Sequence, residues 1–339
     1  MRMKVGIAGA SGFTGVELLR LCAGHPEFDV VLAGADTQAG KRVASAYPSL
    51  GAAYPSLEYG ALGAEDLAGL DLVFLALPHG ASEALVPDLV GRVGAVVDLS
   101  ADFRLRDPAA YPAWYGREHG APRLLAEAAY GLPELFRAGL DGARLVAAPG
   151  CYPTAAALAL APFVRAGAVD PTGIVVDAAS GVSGAGRAPT PTTHFNTVDE
   201  DFVAYGLLRH RHTPEIEQAT GASVLFTPHL VPMNRGILAT CYARPSGALS
   251  GDEAVALLRR AYAGEPFVVV GDDPPSTKAT LGSNCAHLTA RVDPRTGWLV
   301  SLCAIDNLVK GAAGQALQCA NVVSGLPETT GLPTVGLYP

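Results

Sequence analysis

The sequence predicts an α/β protein of two domains, on three observations. Its 339 residues exceed the roughly 100–200 of one typical domain. Short, fully apolar segments alternate with helix-like segments over the first 150 residues, and strands apolar on both faces require a parallel sheet covered by helices. The apolar segments also end in Gly, Pro and Asp turns that open further helices, the pattern of βαβ units.

The first unit is read directly from "MKVGIAGASGFTGVELLRLCAGHPEFDVVLAGA". A strand from Lys4 to Ala8 runs into Gly9-Ala10-Ser11-Gly12-Phe13-Thr14-Gly15. A helix follows, with Val16, Leu18, Leu19 and Leu21 set against Glu17 and Arg20, and Val30 to Leu32 form a second strand. A GxxGxxG turn between strand and helix lets the backbone approach a pyrophosphate and aims the helix N–H groups and dipole at it. Dinucleotide binding by Gly9, Ser11, Gly12, Phe13, Thr14 and Gly15 is the resulting expectation. After the second strand, Asp36 suits a ribose 2′-hydroxyl, whereas Lys41 and Arg42 suit a 2′-phosphate, so the two signals conflict over the cofactor.

Two more strands continue the pattern. "LDLVFLALPHG" ends at Pro78-His79-Gly80, and "VGAVVDLSADFR" ends at Asp98-Leu99-Ser100. Both turns lie at carboxyl ends of strands, where open α/β sheets bind ligands. His79 reads equally as an exposed loop residue.

Charge and composition narrow the function. Hydrophobic residues make up 49% and charged residues 17%, enough for a large core. A net charge of −8 argues against a nucleic-acid partner, which needs a surplus of Lys and Arg. No apolar run reaches the roughly 18–20 residues of a membrane span, and the N-terminus lacks a signal-peptide core. The six cysteines form no CxxC pair, so neither a metal site nor a disulfide framework is expected. A cytoplasmic enzyme is the expectation.

"RLVAAPGCYPT" reads as a strand from Leu145 to Ala148, a Pro-Gly turn and a helix with Pro153 in its first turn. Cys151 then stands at a helix N-terminus, which favours thiolate over thiol and so a nucleophile over the alternative of a core filler. A thiolate needs an acid/base partner, and "LLRHRHTPEIEQ" offers His210 and His212. An extended Arg209 to His212 would point both histidines to one face, and the segment reads equally as a solvated polar strand. Thr213 would cap a helix with Pro214 at its first position and Glu215 in its first turn. "ASGVSGAGRAPTPT" offers backbone donors and Arg187 to an anionic substrate, and "PMNRGIL" presents Arg235; either arginine reads equally as a surface residue.

These motifs, with "YGLPEL" and "DNLVKGAAGQALQ", resemble in order and along nearly the whole chain the N-acetyl-gamma-glutamyl-phosphate reductase family of arginine biosynthesis. The resemblance implies the fold of aspartate-semialdehyde and glyceraldehyde-phosphate dehydrogenases: a Rossmann-type dinucleotide-binding domain (1–150 with 310–339) and an α+β substrate domain (151–309). It implies NADPH reduction of an acyl phosphate through a thioester on Cys151, which would lie beside the nicotinamide ring. The acid/base falls on His210 or His212. Pro78, His79, Ser180, Gly181, Asn307, Lys41 and Arg42 join the glycine loop as implied cofactor contacts, and Arg104, Ser183, Arg187 and Arg235 as implied substrate contacts. A homo-oligomer, dimer or tetramer, is implied as well. The rival readings are a lysine-pathway reductase acting on a carrier-linked acyl phosphate, whose CNAT-like motif differs from CYPT here, aspartate-semialdehyde dehydrogenase, which lacks the HRHTPEI run, and a non-catalytic NADP-binding redox sensor. A short-chain reductase is excluded, because no lysine has a tyrosine four residues before it.

Overall fold

The computed structural model of the chain describes residues 2–338. It divides into two compact units: the chain up to Pro149 with Ala312–Leu332, and Gly150–Gly311 with the segment from Pro333 onward. The sequence predicts a return of 310–339 to the first unit, and the structure returns only Ala312–Leu332 to it. The Asn284 N–H donates to the Pro333 carbonyl at 2.8 Å and the Leu337 N–H to the Leu281 carbonyl at 2.7 Å, which holds the last residues on the second unit.

The first unit contains β1 (Met3–Ala8), α1 (Phe13–Ala23), β2 (Phe28–Gly34), β3 (Tyr59–Gly60), β4 (Leu72–Leu75), α2 (Ala81–Leu89), β5 (Ala95–Asp98), β6 (Ala129–Tyr130) and β7 (Leu145–Ala147). They form one parallel sheet in the order β3-β2-β1-β4-β5-β7-β6. Every residue of β4 and β5 is buried, as the absence of polar alternation in both segments requires. Strand order reverses between β1 and β4, and such a switch point opens a ligand crevice at the carboxyl ends of the strands.

In the second unit lie α3 (Cys151–Arg165), β8 (Ile174–Gly181), β9 (Val203–Ala204), α4 (His212–Thr220), β10 (Val224–Val231), β11 (Ile237–Ala243), α5 (Gly251–Ala261), β12 (Val268–Val270), β13 (Ala286–Val292) and β14 (Leu299–Ile305). The sheet is mixed, in the order β12-β13-β14-β11-β8-β10-β9. One face packs on α3 and α5 and buries Ile174, Val176, Ala178, Ala239, Cys241 and Cys303. The intervening residues, among them Val175, Leu238, Tyr242, Val300 and Leu302, are only half-buried, so the opposite face is apolar and open within this chain. The helix α6 (Gly314–Val323) belongs to the first unit, where it packs on α1 and β5. The amide nitrogen of its buried Gln315 donates to the Gly131 carbonyl at 2.9 Å.

Candidate active site

The second unit begins with the thiol. Its helix α3 starts at Cys151, and the preceding Gly150 is extended (φ −69°, ψ 157°) with no side-chain cap. The helix interior is Ala-rich and buried from Tyr152 to Phe163, so hydrophobic burial on all sides fixes its axis. Pro153 stands at the third position, where its missing N–H costs no intrahelical bond. Among the cysteines, Cys22, Cys241, Cys285, Cys303 and Cys319 are buried, and Cys151 is partly exposed. Burial pushes the Cys22 thiol up to about 12 and raises Cys241 as well, so neither is a nucleophile at neutral pH.

A second helix start is fastened to the first. Glu215, in the first turn of α4 and fully buried, accepts the Gly150 N–H at 2.8 Å. That bond joins the turn carrying the histidines to the turn carrying the thiol. Thr154 closes the same turn by donating to the Gly150 carbonyl at 2.9 Å.

The histidine segment corrects the extended reading. Gly206 takes φ +59° and Leu208 φ +60°, the Arg209 N–H returns to the Gly206 carbonyl at 3.0 Å, and the chain turns into α4. The helix begins at His212 with Arg211 before it, so Thr213 lies inside the first turn instead of capping it and Pro214 falls at the third position. The two imidazoles nevertheless meet, with ring centroids 4.8 Å apart, and both stand edge-on to Tyr152 at 5.7 and 5.8 Å. The His212 N–H donates to Nδ1 of His210 at 3.1 Å, which places the proton of a neutral His210 on Nε2. Burial, with Arg211 adding to it, pushes His210 down to about 4. The hydroxyl of Tyr205 donates to that of Tyr152 at 3.1 Å, and Tyr152 donates to the His229 carbonyl, also at 3.1 Å.

The expected ligand contacts of this unit form a second cluster. The Gly181, Val182 and Ser183 N–H groups donate to the carbonyls of Gly236, Met233 and Asn234 at 2.9, 2.9 and 3.1 Å. Asn307 locks the two loops: its carbonyl accepts the Gly236 N–H at 2.7 Å and its amide donates to Ser183 Oγ at 2.9 Å. Arg235 pairs with the fully buried Asp306 at 3.1 Å. Ser180 is buried beside this cluster and donates to the Gly181 carbonyl at 3.1 Å, while Arg187 lies on an exposed stretch.

In the first unit the glycine turn fits a dinucleotide phosphate. Gly9 has φ +83°, and a side-chain carbon there would lie 2.2 Å from the Ala76 carbonyl; one at Gly15 would lie 2.3 Å from the Gly9 carbonyl. Gly12, the residue before α1, would meet only the Gly9 carbonyl at 3.6 Å. Helix α1 has no side-chain cap and no acid in its first turn, so nothing of its own occupies the anion position at its start. Ser11 is held by Tyr47, whose hydroxyl donates to its carbonyl at 2.8 Å; Phe13 and Thr14 open the helix. The start of α2 differs: the buried Asp102 accepts the Gly80 and Glu83 N–H groups at 2.8 and 3.1 Å and fills the corresponding place. Pro78 and His79 are exposed there, and His79 Nδ1 accepts the Ala101 N–H at 3.1 Å. Arg104 is buried and donates to the Leu99 and Ala148 carbonyls at 2.7 and 2.8 Å, which ties down the ends of β5 and β7. Asp36, Lys41 and Arg42 are exposed beyond β2.

Over its full length the chain is 52% identical to the N-acetyl-gamma-glutamyl-phosphate reductase of Symbiobacterium thermophilum, with all of both chains covered. It is 49% identical to that of Desulforudis audaxviator over 99% of this chain and 100% of the relative. The chain belongs to the N-acetyl-gamma-glutamyl-phosphate reductase family. Within the family, residues 4–143 match the semialdehyde dehydrogenase NAD binding domain and residues 151–307 the semialdehyde dehydrogenase dimerisation domain. The first unit is therefore an NAD(P)-binding domain. The fold is that of aspartate-semialdehyde dehydrogenase II from Vibrio cholerae, complexed with ASA (TM-score 0.70, 17% identity, 95% of this chain and 98% of that one). It is equally that of aspartate semialdehyde dehydrogenase with NADP from Candida albicans (TM-score 0.69, 16% identity, 95% and 98%). No helix among the described residues is long and apolar enough to cross a membrane.

The position of His210 on the pH scale is testable through stability. Its folded value lies below the ordinary 6.5, so its contribution holds above about pH 6.5 and is lost as the pH falls toward about 4. Denaturant unfolding at pH 7.5 and pH 5 should show the wild type losing about 2 kcal/mol more than His210→Gln. Equal losses in the two proteins would contradict a neutral, buried His210.

Proposed function

We propose that the chain is an NADPH-dependent acyl-phosphate reductase of the cytoplasm, which converts N-acetyl-L-glutamyl 5-phosphate to N-acetyl-L-glutamate 5-semialdehyde and phosphate. The observation that carries this reading is the pairing of helix starts: a partly exposed thiol at the first position of α3, tied through Gly150 and Glu215 to the turn that presents two imidazoles.

Chemistry follows from those positions. The Cys151 thiolate adds to the acyl carbonyl carbon, the C–S bond forms, and the bond from that carbon to the bridging oxygen breaks, its electron pair leaving with that oxygen on phosphate. Backbone N–H groups in the first turn of α3 favour the oxyanion. The chemistry that a nicotinamide cofactor would supply when bound is one hydride to the thioester carbonyl carbon. His212 then protonates the resulting oxyanion, and takes the proton back as the C–S bond breaks to release aldehyde and thiolate. His212 suits the role better than His210, whose Nδ1 is engaged by the His212 N–H and whose Nε2 therefore carries the proton. His210 fixes the turn on which His212 stands. Arg235, steadied by Asp306, is placed to hold an anionic group of the substrate, with Ser183 beside it. Arg187 stays a candidate for the same role as an exposed cation.

The glycine turn holds the cofactor pyrophosphate, and Ser180, Gly181 and Asn307 stay candidate cofactor contacts. Lys41 and Arg42 favour the 2′-phosphate of NADPH. Each is exposed and loosely tethered, Lys41 to Gln38 at 3.2 Å and Arg42 to Glu58 at 4.0 Å, so both are available to a phosphate. The subunits associate through the open face of the mixed sheet, where half-buried Val175, Tyr242 and Val300 form an apolar surface.

Two measurements test this function. With N-acetyl-glutamate 5-semialdehyde, NADP⁺ and inorganic phosphate, the wild type should form NADPH only when phosphate is present and faster than NADH forms from NAD⁺. Cys151→Ser should lose at least about 10³-fold in kcat, and His212→Asn about 10²-fold or more, with a smaller loss for His210→Asn. Turnover by Cys151→Ser at the wild-type rate, or turnover only of a carrier-linked aldehyde, would overturn the reading. For the assembly, Val300→Asp should shift the particle to monomer mass in light scattering; an unchanged mass would remove this face as the interface.

A further inference from the structure

The least conspicuous neighbour of the thiol is a glycine in a π-helical turn. Val309–Ala313 form a turn of π-helix, a form that seldom occurs except as single turns near functional sites. At Gly311, within it, a side-chain carbon would lie 2.7 Å from Cβ of Cys151, 3.2 Å from its Cα and 3.3 Å from Cδ1 of Ile305. Carbon atoms in contact sit about 3.5–4.0 Å apart, so one side would have to yield by about 0.8 Å.

Which side yields is decided by how each is held. The π-turn is anchored by Asp306: its carbonyl accepts the Gly311 N–H at 2.9 Å. Its fully buried carboxylate accepts the Leu308 and Val309 N–H groups at 2.8 and 3.1 Å and the Gly282 N–H at 2.7 Å, and also pairs with Arg235. Breaking that set would strand a buried carboxylate without its donors. Cys151 is partly exposed and, as the first residue of α3, lies where the helix's own bonds hold the backbone least, so it is the side that yields. Crowding in Gly311→Ala would therefore shift Cys151 within the first turn of α3.

We propose that Gly311 is a positioning residue for the nucleophile: the space left by its missing side chain seats the Cys151 Cβ, and the Asp306-anchored turn fixes where the sulfur points. The proposal rests on Cys151 being the nucleophile. The test reads the thiol separately from the reaction. In the full-length protein, Gly311→Ala should melt cooperatively within a few degrees of the wild type, while iodoacetamide alkylates Cys151 at least about tenfold more slowly, followed by peptide mass spectrometry. Its kcat with the semialdehyde should fall about 10²-fold with KM changed less than about threefold, the size expected for a misplacement near 1 Å. Ile305→Val removes the Cδ1 atom that the added methyl would also meet, at 3.3 Å, and so gives the methyl room to move. Combined with Gly311→Ala it should recover most of the alkylation rate, and alone it should leave that rate unchanged. Wild-type alkylation in Gly311→Ala, loss of its cooperative melt, or no recovery in the double variant would each overturn the proposal. Failure of the wild type to turn over the semialdehyde would count against the proposed reaction, and the alkylation rates would still decide the place of the thiol.

Discussion

The second unit depends on one hydrogen bond, from the Gly150 N–H to the buried Glu215 carboxylate. A bond to a charged group is worth about 1.5–3 kcal/mol, and leaving the carboxylate buried without it costs more. Because its ends are the residue before Cys151 and the first turn of α4, this bond sets the separation of thiol and imidazoles, which come from segments far apart in the chain. Everything around it stiffens the same geometry. Burial of α3 along its length fixes one helix, the His210–His212 bond fixes the turn entering the other, and Tyr152 lies against both rings.

Close approach of backbone to backbone is the constraint shared by the two units. In the first, Gly9 and Gly15 let the nucleotide turn fold on itself and on the end of β4, which leaves the start of α1 open to an anion. In the second, Gly311 lets a π-turn abut Cys151. Each is a contact that no side chain larger than hydrogen permits, so chemistry is placed by absent atoms as much as by present ones. Carboxylates do the complementary work. Asp102 closes the start of α2, Glu215 joins α3 to α4, and Asp306 gathers Arg235, Gly282 and the π-turn. Together they settle which helix starts stay open to ligands.

Local patterns made much of this legible in the sequence. The glycine turn between two apolar strands, the thiol directly after Pro149 and Gly150, and the uninterrupted apolar strands β4 and β5 are each encoded within a dozen residues. The HRH segment was legible as chemistry and misleading as structure: two histidines flanking an arginine alternate in the same way in a strand and in a turn. Gly206 was the available signal for the turn. Glu215 reads as an ordinary first-turn acid until the fold brings Gly150 to it, and Gly311 and Asp306 acquire their roles only from neighbours distant in sequence. Arg104 shows the converse. Its motif suggested a ligand contact, and the structure places its guanidinium on the Leu99 and Ala148 carbonyls.

If Cys151 carries the acyl group, the thioester can be caught on it. The protein is mixed with freshly prepared N-acetyl-glutamyl 5-phosphate in the absence of nicotinamide cofactor, quenched in acid, and its peptides are mapped by mass spectrometry. An N-acetylglutamyl adduct is expected on the peptide bearing Cys151, removed by hydroxylamine as a thioester is and discharged as aldehyde when NADPH is added before the quench. An unmodified Cys151, or an adduct on another residue that NADPH discharges, would rule out covalent catalysis through this thiol.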